Sequence, residues 1–175
     1  MGQDRRVSQN VKLMLRFKPA ENLPSSEELW ATPVEAGEDG GSYRLANSSY
    51  MVPLATGDVV RAEHNRDGVL QVTGLVGPSP MIMTVLAAPP GSAMNLEPVV
   101  AVWSKSGAYW TEGRSGMLVT VWAEWIDVAT ITEVVQPAVD AGVEWLATAP
   151  PEVRVADNMT EVDFELAGGR SDGVS

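Results

Sequence analysis

The segment VKLMLRF, residues 11–17, alternates apolar side chains with mainly basic ones at a period of two. Successive side chains of a β-strand point to opposite faces, so this alternation is typical of a half-buried strand. We therefore predict a strand here, with Lys12 and Arg16 on its solvent face. The two cations are explained as a solvated strand face and do not by themselves indicate a phosphate-binding strip.

Short strands with frequent turns follow this segment. The predicted strands are 29–34, 43–45, 50–53, 59–63 and 69–76. Turns between them recur at roughly 8–12-residue spacing, a pattern of small all-β units. The Gly- and acid-rich residues 35–41 are predicted to form a mobile loop, and they lack the phosphate-binding GxxxxGK[ST] pattern. We predict an all-β module over residues 10–76, either a small barrel or a curled antiparallel sheet, because closure removes unpaired strand edges.

A second module is predicted over residues 81–149, after the Pro-rich segment 77–80. Its expected elements are a strand 81–88, a helix 96–106, strands 108–111 and 117–123, a helix 127–142 and a strand 143–148. Helical spacing supports the first helix, and Asp127 is a suitable cap for the second. This order indicates a ferredoxin-like βαββαβ unit.

Pro137 is expected to kink or divide the second helix, because proline lacks the backbone N–H. Residues 150–175 are predicted to be an acidic, partly flexible extension with one further strand near 161–166. The fold class predicted for the whole chain is α+β, with an N-terminal β barrel or curled sheet before the ferredoxin-like module.

Composition excludes several classes of function. The chain of 175 residues has a net charge of −11, and since residues 1–18 carry +4, the remainder carries −15. This charge disfavours nucleic acid and anionic membranes as partners. The absence of cysteine excludes thiolate metal sites, disulfides and thiol nucleophiles. No apolar run approaches the roughly 20 residues that span a bilayer, so we expect a cytoplasmic protein.

The ionisable residues do not form a recognisable catalytic set. His64 is the only histidine, and no G-x-S-x-G elbow accompanies it. Ser48 and Ser49 are better explained as turn donors. The acidic residues Glu124 and Asp127 are close in sequence, but Asp127 is needed as a helix cap. We predict no catalytic residues, no metal site and no cofactor.

Tryptophan is the most unusual feature of the composition, with six residues. In the predicted strand 117–123, Trp122 points opposite to Val119 and Val121, and Trp110 lies in the neighbouring hairpin arm. Some indoles are therefore expected on the sheet face away from the helices, where the N-terminal module or a partner would cover them. Trp110, Trp122 and Trp145 are the candidate residues for contact with a partner or ligand.

Serial motifs resemble those of the uncharacterised bacterial family called domain of unknown function 4265. The matching segments, in order, are VKLMLRF (11–17), LWATPV (29–34), YRLAN (43–47), GDVVRAE (57–63), GMLVTVWAE (116–124) and VEWLATA (143–149). The resemblance covers residues 11–149 and implies the two-module architecture. It implies no activity, because none is assigned to the family.

These observations favour a non-enzymatic, acidic protein-binding or regulatory protein. An inhibitor or immunity-type protein that docks on a basic partner is one form of this function. A first alternative is a small-molecule-binding sensor with a pocket between the two modules, lined by Trp110, Trp122 or Trp145. A second alternative, a hydrolase that uses His64, is the least favoured.

Overall fold

The structure, a computed structural model, describes residues 9–18, 21, 24–89, 91–92, 95–114 and 116–154. The strand expected near residues 161–166 lies outside these residues. The described chain has a mixed α+β fold, in which a five-stranded barrel precedes a four-stranded sheet with two helices. The predicted α+β class and the N-terminal barrel are confirmed. No helix in this described part is long and apolar enough to cross a membrane.

Five strands form the closed barrel. They are β1 (Val11–Arg16), β2 (Ser26–Gly37), β3 (Gly40–Leu45), β4 (Val59–His64) and β5 (Leu70–Gly77). Consecutive strands pair antiparallel, and β1 closes the barrel by pairing parallel to β5 at Met14 and Gln71. The alternating residues of β1 explain its position, because Leu13 and Leu15 are fully buried in the barrel core. On the outer face, Lys12 Nζ forms an ion pair with Glu28 at 2.7 Å and lies over the Trp30 ring.

The prediction of a mobile loop at residues 35–41 is wrong. The strand β2 continues to Gly37, and β3 begins at Gly40, so the two strands form a tight hairpin. The glycines at the start of β3 allow this strand to lie close to its neighbours β2 and β4. A Cβ on Gly40 would lie 2.2 Å from the Ala62 carbonyl oxygen, and one on Gly41 would lie 2.0 Å from the Glu35 carbonyl oxygen.

The prediction of a strand at residues 50–53 is also wrong. This segment belongs to the irregular connection between β3 and β4. The Ser49 hydroxyl accepts hydrogen bonds from the backbone N–H groups of Met51 and Val52, both at 3.1 Å. Side-chain hydrogen bonds of this kind compete with a strand ladder for the same amides. The connection is nevertheless well packed, because Leu54 and Ala55 are buried.

The second half of the chain forms the four-stranded sheet. Its elements are β6 (Ile82–Ala87), α1 (Glu97–Lys105), β7 (Ala108–Arg114), β8 (Met117–Trp122), α2 (Val128–Asp140) and β9 (Glu144–Ala149). The strand order is β7-β8-β6-β9, and each neighbouring pair is antiparallel. A short 3₁₀ helix, Pro151–Val153, follows β9.

The N-terminus of α2 agrees with simple capping chemistry. The Asp127 carboxylate accepts the Thr130 N–H at 2.7 Å, which caps α2 and lowers the pKa of Asp127. The expected break at Pro137 does not divide α2, which is one helix from Val128 to Asp140. Pro137 removes only the bond to the carbonyl of Glu133, which is an exposed residue of the helix.

The two faces of the sheet belong to different cores. On one face, Leu86, Leu118 and Trp122 pack with residues of both helices. On the other, Val85, Val119 and Val121 pack with one another, and with Tyr50 and Ala55 from the β3–β4 connection of the barrel. The sheet is therefore covered by its helices on one side and in part by the barrel connection on the other.

Candidate functional site

The three candidate tryptophans differ in burial. Trp122 is fully buried on the helix side of the sheet, where its Nε1–H donates to Thr84 Oγ1 at 2.8 Å and its ring is 5.9 Å from that of Trp103. Trp145 packs partly buried against the same core, and its Nε1–H is bonded to Ala147 and Thr148. The expectation that Trp122 lies on the face away from the helices is wrong, and its buried position leaves it no surface for a partner.

Trp110 does lie at the surface. It pairs with Val121, whose side chain belongs to the core that faces the barrel, and the register of β7 shifts between Ala108 and Trp110. Tyr109 is the extra residue in this β-bulge. Bulges re-aim side chains at sheet edges, and β7 is an edge strand.

Three aromatic residues on or near the bulge are exposed. Tyr109, Trp110 and Trp125 have exposed fractions of 67%, 54% and 75%. Tyr109 and Trp125 line a shallow depression of about 370 Å³, together with Pro80, Met81, Ala123 and Glu124. We call Tyr109, Trp110 and Trp125 the aromatic surface.

The position of Trp125 depends on a glycine. Gly107 has a φ of +113°, and a Cβ at this position would lie 3.1 Å from the Trp125 ring and 3.0 Å from Ile126. Glycine reaches this φ without steric cost, and it leaves room for the indole. The turn from α1 into β7 therefore leaves space for the Trp125 ring of the aromatic surface.

A second concave region lies between the barrel and the sheet. This cavity of about 460 Å³ is lined by Pro24, Ser26, Glu27, Glu28, Tyr50, Met51, Arg114 and Met117. Its walls come from the start of β2, the β3–β4 connection and the β7–β8 hairpin. We call it the junction cleft. A pocket between the modules was the alternative expectation, but Trp110, Trp122 and Trp145 do not line this cleft.

Glu27 is the buried ionisable residue of the junction cleft, only 8% exposed. One carboxylate oxygen accepts the Ser49 hydroxyl at 2.5 Å, and the other accepts the Tyr50 N–H at 3.0 Å. Burial raises the pKa of Glu27, although these hydrogen bonds and the positive charge of Arg114 lower it in part.

Glu112, on β7, reaches the same connection from the sheet side. Its carboxylate accepts the Ser48 N–H at 2.9 Å. Burial raises the pKa of Glu112, the bonds from Ser48 and Trp110 lower it, and the negative charge of Glu27 raises it further. The pKa of Tyr50 is raised by burial and by the two carboxylates nearby. Residues 48–50 are therefore held by one carboxylate from each half of the molecule.

Other predicted reactive groups do not assemble into a site. His64 is exposed at the end of β4, and its backbone N–H donates to the Asp39 carbonyl. Ser48 and Ser49 are buried and hold the β3–β4 connection, Ser48 through Thr56 and Ser49 through Glu27. Among the residues that the structure describes, no group of three or more His, Asp or Glu side chains is placed to hold a metal ion.

Comparison with known proteins shows a likeness of fold. No family model matches the chain, and no curated protein matches it. The structure is similar to the crystal structure of a hypothetical protein from Neisseria gonorrhoeae, with a TM-score of 0.54 and 12% sequence identity. The match covers 85% of this chain and 97% of the other, so the similarity includes most of the architecture. At this identity it shows the fold alone.

Proposed function

We propose that this protein is a non-enzymatic docking protein that binds a basic protein partner through the aromatic surface. The observation that carries the proposal is the exposure of Tyr109, Trp110 and Trp125 at one edge of the sheet. Tyrosine and tryptophan are the residues most enriched among the energetic anchors of protein interfaces. Tyr109 and Trp125 line one depression, and exposed apolar groups that cluster in this way, rather than occur singly, indicate an interaction site.

The choice of a basic partner rests on charge. Residues 81–149 contain seven Asp and Glu against two Lys and Arg. Among the described residues that line the depression, Glu124 is the charged one, and Asp127 follows it closely. An acidic residue beside aromatic anchors, on a unit with an excess of acids, complements a Lys- and Arg-rich surface and speeds encounter with it. An inhibitor of a basic enzyme such as a nuclease is one form of this function.

We also propose that the four-stranded unit is a ferredoxin-like module. The support is the succession β6, α1, β7, β8, α2, β9 together with the antiparallel order β7-β8-β6-β9. In such a unit the second strand lies at an edge of the sheet. The β-bulge with Tyr109 would then sit on the strand most accessible to a partner.

The test is site-directed photo-crosslinking in the cells that make the protein. A benzophenone amino acid replaces Tyr109 in one protein and Trp30 in a control, because Trp30 is also exposed but lies on the barrel. We expect position 109, and not position 30, to crosslink to a protein rich in Lys and Arg. Raising the salt from about 0.1 to 0.5 M before irradiation should reduce the yield.

A matched pair of variants completes the experiment. In the protein crosslinked from position 109, Trp125→Ala should lower the yield at least about tenfold, a typical loss at an interface anchor. Trp30→Ala should leave it unchanged. Equal crosslinking from both positions, an acidic partner, or no partner at low salt would contradict the proposal.

A further inference from the structure

The junction cleft has the size and construction of a ligand site. Small-molecule sites are mostly apolar clefts of about 300–1,000 Å³ with a few placed polar groups, and they favour the boundaries between structural units. The junction cleft, at about 460 Å³, lies at such a boundary. Its apolar walls include Pro24, Met51 and Met117, and methionine adapts to varied ligand shapes.

Two groups of opposite charge define its polar chemistry. Glu27 comes from the barrel, is buried, and receives its hydrogen bonds from neutral donors, the Ser49 hydroxyl and the Tyr50 amide. Each carboxylate oxygen can accept a second bond. A cation in direct contact would offset the cost of burying this carboxylate.

Arg114 supplies the complementary charge from the sheet side. It lines the cleft, is exposed, and lies near enough to Glu27 for its charge to act on that carboxylate. A guanidinium can bind a carboxylate with two parallel hydrogen bonds. Glu28, the other acid of the lining, already pairs with Lys12 at 2.7 Å.

We propose that the junction cleft binds a zwitterionic ligand of amino-acid or dipeptide size, with its ammonium at Glu27, its carboxylate at Arg114 and an apolar side chain between Met51 and Met117. This site is separate from the aromatic surface, and it does not depend on the docking function. Because Glu27 belongs to the barrel and Arg114 to the sheet, the ligand bridges the two halves and stabilises their junction. Any ligand that binds only the folded protein raises its stability in this way.

Isothermal titration calorimetry of the full chain with four probes tests this chemistry. L-Phenylalanine carries both charges, phenethylamine lacks the carboxylate, 3-phenylpropionate lacks the ammonium, and phenylalanyl-phenylalanine represents a peptide. We expect saturable binding of L-phenylalanine or of the dipeptide, and at least about tenfold weaker binding of the two singly charged probes, in line with the loss of one charged hydrogen bond. The ratio between amino acid and dipeptide then separates a free amino acid from a peptide as the source.

Charge-removing variants assign each contact. Glu27→Gln should weaken the binding of the zwitterion and of phenethylamine at least about tenfold and leave the binding of 3-phenylpropionate unchanged. Arg114→Gln should weaken the binding of the zwitterion and of 3-phenylpropionate by a similar factor and leave the binding of phenethylamine unchanged. Glu63→Gln and Arg61→Gln, at positions on β4 outside the cleft lining, are the matched controls and should bind like the wild type. Circular dichroism and thermal unfolding verify that every variant is folded.

Three results would overturn the proposal. They are the absence of saturable binding of any zwitterionic probe to the wild type, equal affinity for phenethylamine and L-phenylalanine, and wild-type binding by both Glu27→Gln and Arg114→Gln. Failure of the crosslinking experiment at Tyr109 would leave these measurements unaffected, because the variants lie in different places.

Discussion

Glu27 shows how one side chain couples local structure to pH. Its carboxylate holds residues 49 and 50 by two hydrogen bonds, yet burial raises its pKa above the ordinary value of 4.5. A raised pKa means that the folded state binds the proton more tightly than the unfolded state does. The stability contributed by this protonation is complete below pH 4.5 and is lost as the pH rises through the raised pKa.

We therefore predict that Glu27→Gln gains stability relative to the wild type as the pH increases. Glutamine has nearly the same shape but does not ionise, so it lacks the growing cost of a buried negative charge. Urea unfolding between pH 4 and 8 measures the difference in the free energy of unfolding between the two proteins. Glu63→Gln, on an exposed residue, is the control and should show no such trend. Parallel curves for wild type and Glu27→Gln would contradict the prediction.

The same residues show the limits of sequence reasoning about sites. Tryptophan attracts attention in a sequence because it is rare, but its abundance does not tell which indoles are buried. Trp122 is a core residue and Trp110 a surface residue, although both were expected near one open face. Glu27 was missed because it stands beside Glu28 just before the predicted strand 29–34, where two adjacent acids resemble solvent-facing residues. The available signal was the pair of serines at residues 48 and 49. Ser49 and the next residue, Tyr50, are the two hydrogen-bond donors to Glu27.

Among the elements, the β2–β3 hairpin was the most misleading in the sequence. Its glycines and acids resemble a loop, whereas the structure uses Gly40 and Gly41 to let β3 run close between β2 and β4. Glycine in a strand often marks such close backbone approach. The distinction depends on neighbours that are distant along the chain, so local composition does not reveal it.

Gly41→Ala should destabilise the barrel by about 2–3 kcal/mol, the upper range for forcing a methyl group into a packed site. The new Cβ would lie 2.0 Å from the Glu35 carbonyl oxygen, a backbone atom that a rotamer change cannot move. Gly77→Ala is the matched control, because Gly77 ends β5 and has open space at its Cβ position. Chemical unfolding of both variants measures the difference. Equal stabilities would contradict the close approach of β2 and β3.

At the scale of the whole molecule, Arg154, which follows the last strand in the chain, contacts both halves of the structure. Its guanidinium is fully buried, lies 3.2 Å from Asp58 just before β4, and donates to the carbonyls of Ser79, Met81 and Ala149. Asp58 in turn accepts the N–H groups of Ala55 and Ser79. The barrel, the linker and the end of the sheet therefore meet at a single ion pair.

Removal of this cation should have a large effect. Arg154→Met leaves Asp58 buried without its partner, and we expect a loss of about 3–5 kcal/mol in the free energy of unfolding. Lys12→Met is the matched control, because it breaks the exposed pair with Glu28 and should cost less than about 1 kcal/mol. Urea unfolding gives both values.

A double-mutant cycle with Asp58→Asn separates the ion pair from the carbonyl contacts. The double variant should lose less than the sum of the single variants, because each single variant already breaks the same interaction. Strict additivity would show that Arg154 acts through the backbone carbonyls and not through Asp58.

Periodicity, together with turn spacing and the Asp127 cap, was enough to predict the α+β class, the barrel and both helices, although the strand at 50–53 and the loop at 35–41 were wrong. Alternation in VKLMLRF and the capped apolar stripe of α2 are local signals. Each reflects the burial of apolar side chains on one face of a strand or helix. Three features could not be predicted in this way: the buried ion pair of Arg154 with Asp58, the burial of Glu27, and the exposure of Tyr109 beside Trp125. They arise where segments far apart in the chain meet, and the burial and charge of a residue there depend on its spatial neighbours.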